Sequence, residues 1–211
     1  MRVTLGVTGG IAAYKAAELV RELQRKALDV HVVMTEGAQR FIQPLTFAAL
    51  TGHRVITSLW DQPGHPELEP GPGTDFSASS GLGQGIEHID MAQGIAALVV
   101  APATADTLSR FAQGRANDFL STLYLATTAP VVLAPAMNVR MWEHPATQAN
   151  IALLVERGAL IVSPATGELA CGMVGAGRLA SHESIVEAVL SVLHHSNDLA
   201  GETFLVTAGG T

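Results

Sequence analysis

The residues best suited to chemistry lie in an octet, positions 135–142, that reads PAMNVRMW. The octet follows an apolar run at 131–134 that is typical of a buried parallel strand. Ligands of open α/β sheets bind at the carboxyl ends of the strands, so we interpret the octet as one wall of a ligand site. A second interpretation stays open at this point. In it, the Met and Trp side chains fill a gap in the core and Asn138 caps the following helix.

Two other positions could hold an anion. Gly9 and Gly10 separate a short apolar segment from a helical pattern, where backbone N–H groups can approach a phosphate at the positive end of a helix. A glycine pair also simply makes turns, and the full G-x-G-x-x-G dinucleotide pattern is absent. Thr104 follows the apolar run at 97–102 and adds a hydroxyl at the start of another helix.

Two residues could transfer protons. His88 lies between Ile86 and Ile89, a setting in which a histidine is usually a structural residue with a backbone partner, so only its position can decide its role. Cys171 is the only cysteine of the chain and lies in a glycine-rich segment over 163–179. The glycines give backbone freedom, either for a hinge or for close approach to a ligand.

Hydrophobic periodicity predicts the elements that must position these residues. The predicted strands cover 3–7, 30–34, 54–59, 97–102, 131–134 and 160–162. The predicted helices cover 11 to about 26, turns within 37–52 that end at Gly52, 118–126, a helix through 150–155 that stops at Gly158, and 185–193. Thr35 ends the second strand where a dinucleotide site would place a carboxylate, although Glu36 follows directly. Alternating strands and helices indicate an α/β fold with a parallel sheet.

Composition narrows the class of protein. With 211 residues, 48% of them hydrophobic and 15% charged, the chain can bury a sizeable core and should form one α/β domain. A net charge of −7 argues against a nucleic-acid or anionic-membrane surface, because either needs a clustered excess of Lys and Arg. The single cysteine and the absence of a signal-peptide pattern lead us to expect a cytoplasmic protein.

Two segments depart from this pattern. Residues 62–85 carry four prolines and several glycines with few large apolar groups, which predicts a flexible loop. The loop could be a lid, but the composition favours a tolerated surface insertion. Residues 203–211 repeat the strand and glycine pair of the chain start. We therefore expect one domain over 1–194, then a linker and the first strand of a second domain over 195–211.

The octet has the form PxMNxxMW, and with His88 and the LACGMVGAGR stretch around Cys171 it resembles the flavin-containing cysteine decarboxylases. The resemblance runs from residue 3 to about 193 and is strongest to the decarboxylase half of the bifunctional coenzyme A biosynthesis flavoproteins. It implies a Rossmann-like (flavodoxin-like) doubly wound parallel sheet in three α/β/α layers, a bound FMN and no metal. It also implies a homo-oligomer built from trimers, a dodecamer being the larger form, and a fused C-terminal synthetase domain.

The implied reaction is oxidative decarboxylation of phosphopantothenoylcysteine to phosphopantetheine. Direct loss of CO₂ would leave a carbanion without an electron sink, and oxidation of the cysteine side chain to a thioaldehyde provides one. By motif position His88 would be the base or the orienting group, and Asn138 would hold the departing carboxylate. Cys171 would donate the proton in the second half of the reaction.

The resemblance also implies two sets of contacts. The cofactor contacts are Thr8, Gly9, Gly10, Thr35, Pro102, Ala103 and Thr104, and the substrate contacts are Met137, Asn138, Met141, Ala170 and Gly172. The alternatives are a flavin prenyltransferase of the same fold, a non-catalytic regulatory flavoprotein subunit and an electron carrier. The presence of His88, Asn138 and Cys171 together favours the enzyme.

Overall fold

Five apolar strands form a parallel sheet at the centre of this computed structural model, which describes residues 1–60, 87–168 and 174–194. The strands are β1 (Arg2–Val7), β2 (Asp29–Met34), β3 (Ala97–Ala103), β4 (Val131–Pro135) and β5 (Leu160–Ile161). Their order is β2-β1-β3-β4-β5, and every neighbouring pair is parallel. That is the flavodoxin-like order of a doubly wound sheet, so the fold class predicted from the sequence is confirmed.

Helices cover both faces of the sheet, and an antiparallel hairpin follows it. The helices are α1 (Ala16–Arg25), α2 (Glu36–Gln39), α3 (Pro44–Thr51), α4 (Glu87–Gly94), α5 (Ala105–Gln113), α6 (Phe119–Ala126), α7 (Val139–Glu143), α8 (Pro145–Glu156) and α9 (His182–His194). The hairpin consists of β6 (Ala165–Glu168) and β7 (Val174–Arg178). No helix within the described ranges is long and apolar enough to cross a membrane.

Each face of the sheet has its own apolar core, because side chains alternate along a strand. In β3, Ala97 and Val99 pack into the core that includes α1, α3 and α9. Leu98 and Val100 point the other way, into the core that includes α4, α5, α6 and α8. The apolar face predicted for the first helix is fully buried, as expected, and consists of Ala16, Leu19, Val20 and Leu23.

Three predicted elements were wrong or incomplete. No strand covers 54–59: Ile56 makes a single parallel bridge to Val33, and the neighbours Val55 and Ile56 are both buried, which is not the alternation of a strand. The first helix begins as a 3₁₀ helix over Ile11–Lys15 and becomes α-helical only at Ala16. The glycine-rich segment contains the β6–β7 hairpin, which periodicity did not indicate.

The remaining helix predictions agree with the structure within a few residues. Gly52 ends α3 with φ 72°, a left-handed conformation that glycine adopts without strain. Gly158 follows α8 with φ 91°. The predictions for the 62–85 loop, for Cys171 and for 195–211 lie outside the described residues.

Candidate functional site

A cavity of about 1210 Å³ opens at the carboxyl edge of the sheet. It lies at the ends of β1 and β3, which are neighbours in the sheet although β2 separates them in sequence. This is the switch point at which doubly wound sheets bind ligands. Its walls come from the segments that follow β1, β2, β3 and β4, together with the start of α6 and the end of β7. They include residues 9–12, 14–15, 35–37, 104–107, 117–118, 136–138, 141 and 177–179.

Three of the predicted contact residues line the cavity as helix N-caps. Thr35 Oγ1 accepts the Ala38 N–H at 3.3 Å, and Thr104 Oγ1 accepts the Thr107 N–H at 3.3 Å. Asn138 Oδ1 accepts the Arg140 N–H at 2.9 Å, so it does cap α7. Each residue therefore follows a strand, begins a helix and borders the cavity, and its side-chain oxygen is already engaged with the helix backbone.

Thr8, Pro102 and Ala103 do not line the cavity, although the resemblance implied that they contact the cofactor. All three are buried. The Thr8 hydroxyl donates to the Pro102 carbonyl oxygen at 2.7 Å and accepts the Thr104 N–H at 3.0 Å. Thr8 thus fastens the end of β1 to the end of β3, and it acts on the site by positioning Thr104.

The glycine pair serves two different purposes. A Cβ on Gly9 would lie 2.7 Å from the backbone carbon of Gly37, so glycine is needed there because two loops pass in contact. A Cβ on Gly10 would make only an ordinary contact, with Thr104 Cγ2 at 3.8 Å, and Gly10 caps the 3₁₀ helix without any side-chain hydrogen bond. The first N–H groups of that helix, at Ile11 and Ala12, belong to cavity-lining residues, where an anion could accept from them.

The β6–β7 hairpin docks directly on the octet. The Met137 N–H donates to the Gly177 carbonyl oxygen at 2.9 Å. Gly177 has φ 152°, and a Cβ there would overlap the Met137 carbonyl oxygen. A Cβ on Gly175 would lie 2.7 Å from Val139 Cγ2. The glycines of this segment therefore permit close approach to another part of the protein, and the octet is held between the sheet and the hairpin.

Sequence reasoning missed the charged groups of the cavity. Arg110 is 26% exposed at its side chain and lies 3.0 Å from Asp106 and 2.8 Å from Asp118, while its Nη1 donates to Asn117 Oδ1 at 3.0 Å. Asp118 also caps α6 in a reciprocal box with Ser121. The i, i+4 spacing of Asp106 and Arg110, and the Asp-x-x-Ser start of the next helix, were the available signals.

The cavity differs in charge from the chain as a whole. Its lining has four basic side chains (Lys15, Arg40, Arg110 and Arg178) and three acidic ones (Glu36, Asp106 and Asp118). The balance is slightly cationic, whereas the whole chain has a net charge of −7. A phosphorylated ligand can therefore approach this edge of an otherwise acidic protein.

The predicted proton-transfer residues are only partly placed. His88 lies in the first turn of α4, and its side chain is outside the described part of the structure. Gly94 ends α4 near Arg2, at the amino edge of the sheet, so the helix starts toward the carboxyl edge. Ala170, Cys171 and Gly172 fall within 169–173, which the structure does not describe.

Known proteins share both the sequence and the fold. The Flavoprotein family model matches residues 1–194. The coenzyme A biosynthesis bifunctional protein CoaBC of Escherichia coli is 42% identical over 210 residues, which are 100% of this chain and 47% of that protein. The chain thus spans about half the length of the curated relatives it matches.

Solved structures give the same fold. A variant of PPC decarboxylase complexed with pantothenoylaminoethenethiol has a TM-score of 0.73 at 26% identity, over 92% of this chain and 98% of that chain. The FMN-dependent cysteine decarboxylase SpaF has a TM-score of 0.71 at 29% identity, over 91% of this chain and 97% of that chain.

Proposed function

This chain belongs to the Flavoprotein family, and from that membership we propose that it is an FMN-dependent decarboxylase of phosphopantothenoylcysteine. The proposed product is phosphopantetheine, an intermediate of coenzyme A biosynthesis. The whole-chain similarity to CoaBC supports the choice of substrate. The likeness to SpaF supports the choice of cofactor.

The observation that carries this proposal is the position of the octet. Met137, Asn138 and Met141 line the same cavity as Gly10 and Thr104, which lie at the switch point of the sheet. A cofactor at the switch point and a substrate against the octet would therefore be in contact. Among the described residues, this is the place where the sequence motif and the fold's ligand site coincide.

The cavity fits FMN and a substrate together. Its volume of about 1210 Å³ exceeds the roughly 300–1,000 Å³ of a pocket for one drug-sized ligand. The uncapped N–H groups after Gly10, with Lys15 and Arg40 nearby, suit the cofactor phosphate. Thr35 keeps a hydroxyl hydrogen that it can donate while its oxygen caps a helix. Thr104 Oγ1 also lies 3.0 Å from Thr107 Oγ1, so its hydrogen can be donated to a ligand when the Thr107 hydroxyl is the donor of that pair.

Bound FMN would supply the two-electron oxidation that gives the departing carboxylate an electron sink. Asn138 would orient that carboxylate through its Nδ2 hydrogens, because its Oδ1 already accepts the Arg140 N–H. A neutral amide is suited to this role, since it does not bind the charged ground state too tightly. His88 would take or orient the proton removed in the oxidation, and Cys171 would return a proton to carbon after CO₂ has left.

The ligand of the solved neighbour agrees with this order of steps. An aminoethenethiol, as in the compound bound to PPC decarboxylase, is what remains of an N-acylcysteine after two-electron oxidation and loss of CO₂. Two electrons and two protons then convert it to the aminoethanethiol end of phosphopantetheine. The electrons taken in the oxidation are thereby returned, and the net reaction is a decarboxylation.

Cofactor release and product analysis test the proposal. We expect heat-released cofactor to chromatograph as FMN, and purified protein to convert phosphopantothenoylcysteine to CO₂ and phosphopantetheine with no external oxidant. Recovery of FAD or of no flavin from folded protein would contradict the cofactor. Unchanged substrate with FMN-loaded protein would contradict the enzyme, and prenylation of the flavin from a prenyl phosphate would favour a prenyltransferase.

We further propose a homo-oligomer built from trimers. Large apolar side chains are exposed on and beside the cavity rim, among them Ile11 (62% exposed), Tyr14 (58%), Phe41 (49%) and Met141 (49%). Such a patch is typical of a surface that a partner covers. Sedimentation should give the mass of three or of twelve chains, and a monomer at micromolar concentration would refute this assembly.

We place the reaction in the cytoplasm, because a thiol that donates a proton must stay reduced.

A further inference from the structure

Asp29, His31 and His53 form a side-chain cluster at the amino end of β2, the opposite edge of the sheet from the cavity. His31 Nε2 lies 3.2 Å from Asp29 Oδ2, and His53 Nε2 lies 2.6 Å from Asp29 Oδ1. The two imidazole rings stack, with centroids 4.0 Å apart and 14° between their planes. Both Nε2 atoms therefore face one carboxylate, and the ligand-type atoms of the three residues lie within 4.8 Å of one another.

We propose that this cluster binds a divalent transition-metal ion of the zinc class. Zn²⁺ takes imidazole nitrogen and carboxylate oxygen in a tetrahedral shell, and with three protein ligands water completes the shell. The mixture of two nitrogens and one carboxylate does not suit Mg²⁺ or Ca²⁺, which prefer oxygen ligands. The family resemblance implied no metal, and the 24 residues between Asp29 and His53 leave no local ligand pattern in the sequence.

The backbone around the cluster is fixed before any ion arrives. Asp29 and His31 are alternate residues of one strand, so their side chains lie on the same side of β2. His53 follows the left-handed Gly52, and its N–H donates to Thr51 Oγ1 at 3.1 Å. Three residues later, Ile56 pairs with β2. A strand and a braced turn thus present the ligands, which lowers the cost of ordering them on binding.

The charged groups of the cluster act on an incoming cation in opposite directions. Burial, and then the charge of His53, lower the pKa of His31. Burial raises the pKa of Asp29, but the hydrogen bond from His53 and the charge of His31 outweigh it, and the net shift is downward. Arg2 Nε lies 3.8 Å from Asp29 Oδ2 and is the opposing cation that an ion must tolerate.

Binding would replace hydrogen bonds by coordination bonds. In the metal-free form each imidazole can donate Nε2–H to the carboxylate. On binding, the rings would turn out of their stack so that the ion lies in the plane of each ring, and each ring would carry its proton on Nδ1. The ion would join β2 to the segment after α3, so it should stabilise the folded chain by mass action. Thr35, at the other end of β2, borders the cavity. Six residues of strand separate the two sites, or about 20 Å, so turnover should not depend on the metal.

Metal titration of the chain without an affinity tag tests the proposal. After dialysis against EDTA, we expect calorimetry with ZnCl₂ to give one ion per chain and a melting temperature that rises to saturation. Co²⁺ should give the visible absorption of a tetrahedral site. His31→Gln and His53→Gln should each weaken zinc binding by at least about tenfold, since each removes one of three ligands.

The matched control is His144→Asn. His144 caps α8, because its Nδ1 accepts the Ala146 N–H at 3.1 Å, and Asn can fill the same role. The change removes an imidazole outside the cluster, so zinc binding should stay unchanged. Melting temperatures in EDTA establish that each variant is folded. The absence of saturable binding would overturn the proposal. Binding that survives in both His31→Gln and His53→Gln would also overturn it, because the ion would then lie elsewhere.

Discussion

Single residues at this site cap a helix and border the cavity at once. Thr35, Thr104 and Asn138 each give a side-chain oxygen to a helix N–H while they border the cavity. Removing such a side chain would therefore damage the helix start together with the site. A substitution that keeps the capping oxygen and changes only the rest of the side-chain polar group separates the effect on the site from the effect on the helix start, because the cap then survives.

Asn138→Asp makes that separation. Asp is as good an N-cap as Asn, so the melting temperature and flavin content should stay near those of the parent. Turnover should fall by about 10² or more, because a hydrogen-bond donor is lost and a negative charge opposes the substrate carboxylate. Single-turnover rates and thermal melts check this. Asn138→Ala, which loses the cap as well, should also lose about 1 kcal/mol of stability, and normal turnover in the Asp variant would leave Asn138 as a cap only.

Thr8→Val tests the buried bridge between β1 and β3. The variant keeps the shape but leaves the Pro102 carbonyl and the Thr104 N–H unpaired, so the free energy of unfolding should drop by about 2 kcal/mol. Thr4→Val is the matched control on the same strand. Thr4 is fully buried and its Oγ1 has no hydrogen-bond partner in the described structure, so this change should be neutral or stabilising. Urea denaturation of both variants distinguishes them, and equal losses would argue against the bridge.

Cys171→Ser tests the proposed proton donor. An unperturbed cysteine thiol has a pKa of about 8.5 and an aliphatic alcohol is a far weaker acid, so serine should deliver a proton poorly. Under anaerobic conditions we expect CO₂ release, bleaching of the flavin and a product two hydrogens lighter than phosphopantetheine. Mass spectrometry measures that product. A normal yield of phosphopantetheine would reject the role, and a flavin that fails to bleach would assign Cys171 to the oxidation step.

At the scale of elements, the β6–β7 hairpin and the octet position each other. The octet leaves the sheet after β4, and the Met137–Gly177 hydrogen bond joins it to β7. Val139, the first residue of α7, packs against Gly175. The hairpin is thus part of the wall that holds the proposed substrate contacts in place. A change at the contact between Gly177 and Met137 should therefore alter turnover by displacing the octet.

Gly177→Ala should show this coupling. The new Cβ would overlap the Met137 carbonyl oxygen, so we expect a loss of about 2 kcal/mol or more of stability together with lower turnover. Gly114→Ala is the control. Gly114 also has a positive φ, 65°, but nothing lies within 4 Å of the added Cβ, so strain of about 1 kcal/mol is the whole cost. Turnover that is equally intact in both variants would contradict the coupling of hairpin and octet.

At the scale of the whole molecule, the two ends of the sheet carry different chemistry. The carboxyl edge has the slightly cationic cavity, and the amino edge has the Asp29 cluster. Protonation of the cluster is linked to folding. In the folded chain the pKa of His31 is lowered from its ordinary 6.5, by burial first and by the charge of His53 second. A lowered pKa in the folded state means that the unfolded chain binds more protons in this range.

Stability should therefore fall as the pH is lowered below about 6.5. The contribution of His31 to the free energy of unfolding is present above the pKa that His31 has in the unfolded chain. It is lost as the pH falls through the pKa that His31 has in the folded chain. Asp29, whose pKa is lowered from 3.8, loses its contribution in turn at still lower pH. Urea denaturation in EDTA between about pH 7.5 and 5.5 should show a shallower decline for His31→Gln than for the parent. Equal slopes would mean that His31 is not responsible.

The sequence by itself determined the parallel α/β class, the buried strands, most of the helices and the octet at a strand end. These features follow from the periodicity of apolar residues and from local propensities, which a few neighbouring positions express. The sequence could not assign Thr8 to a bridge with Pro102 or predict that Gly177 contacts Met137. Those contacts depend on how distant segments pack, since a hydrogen bond between residues about 94 positions apart leaves no local signal. The pair of Asp29 and His53 was not predicted for the same reason, because only the folded chain brings these two residues together.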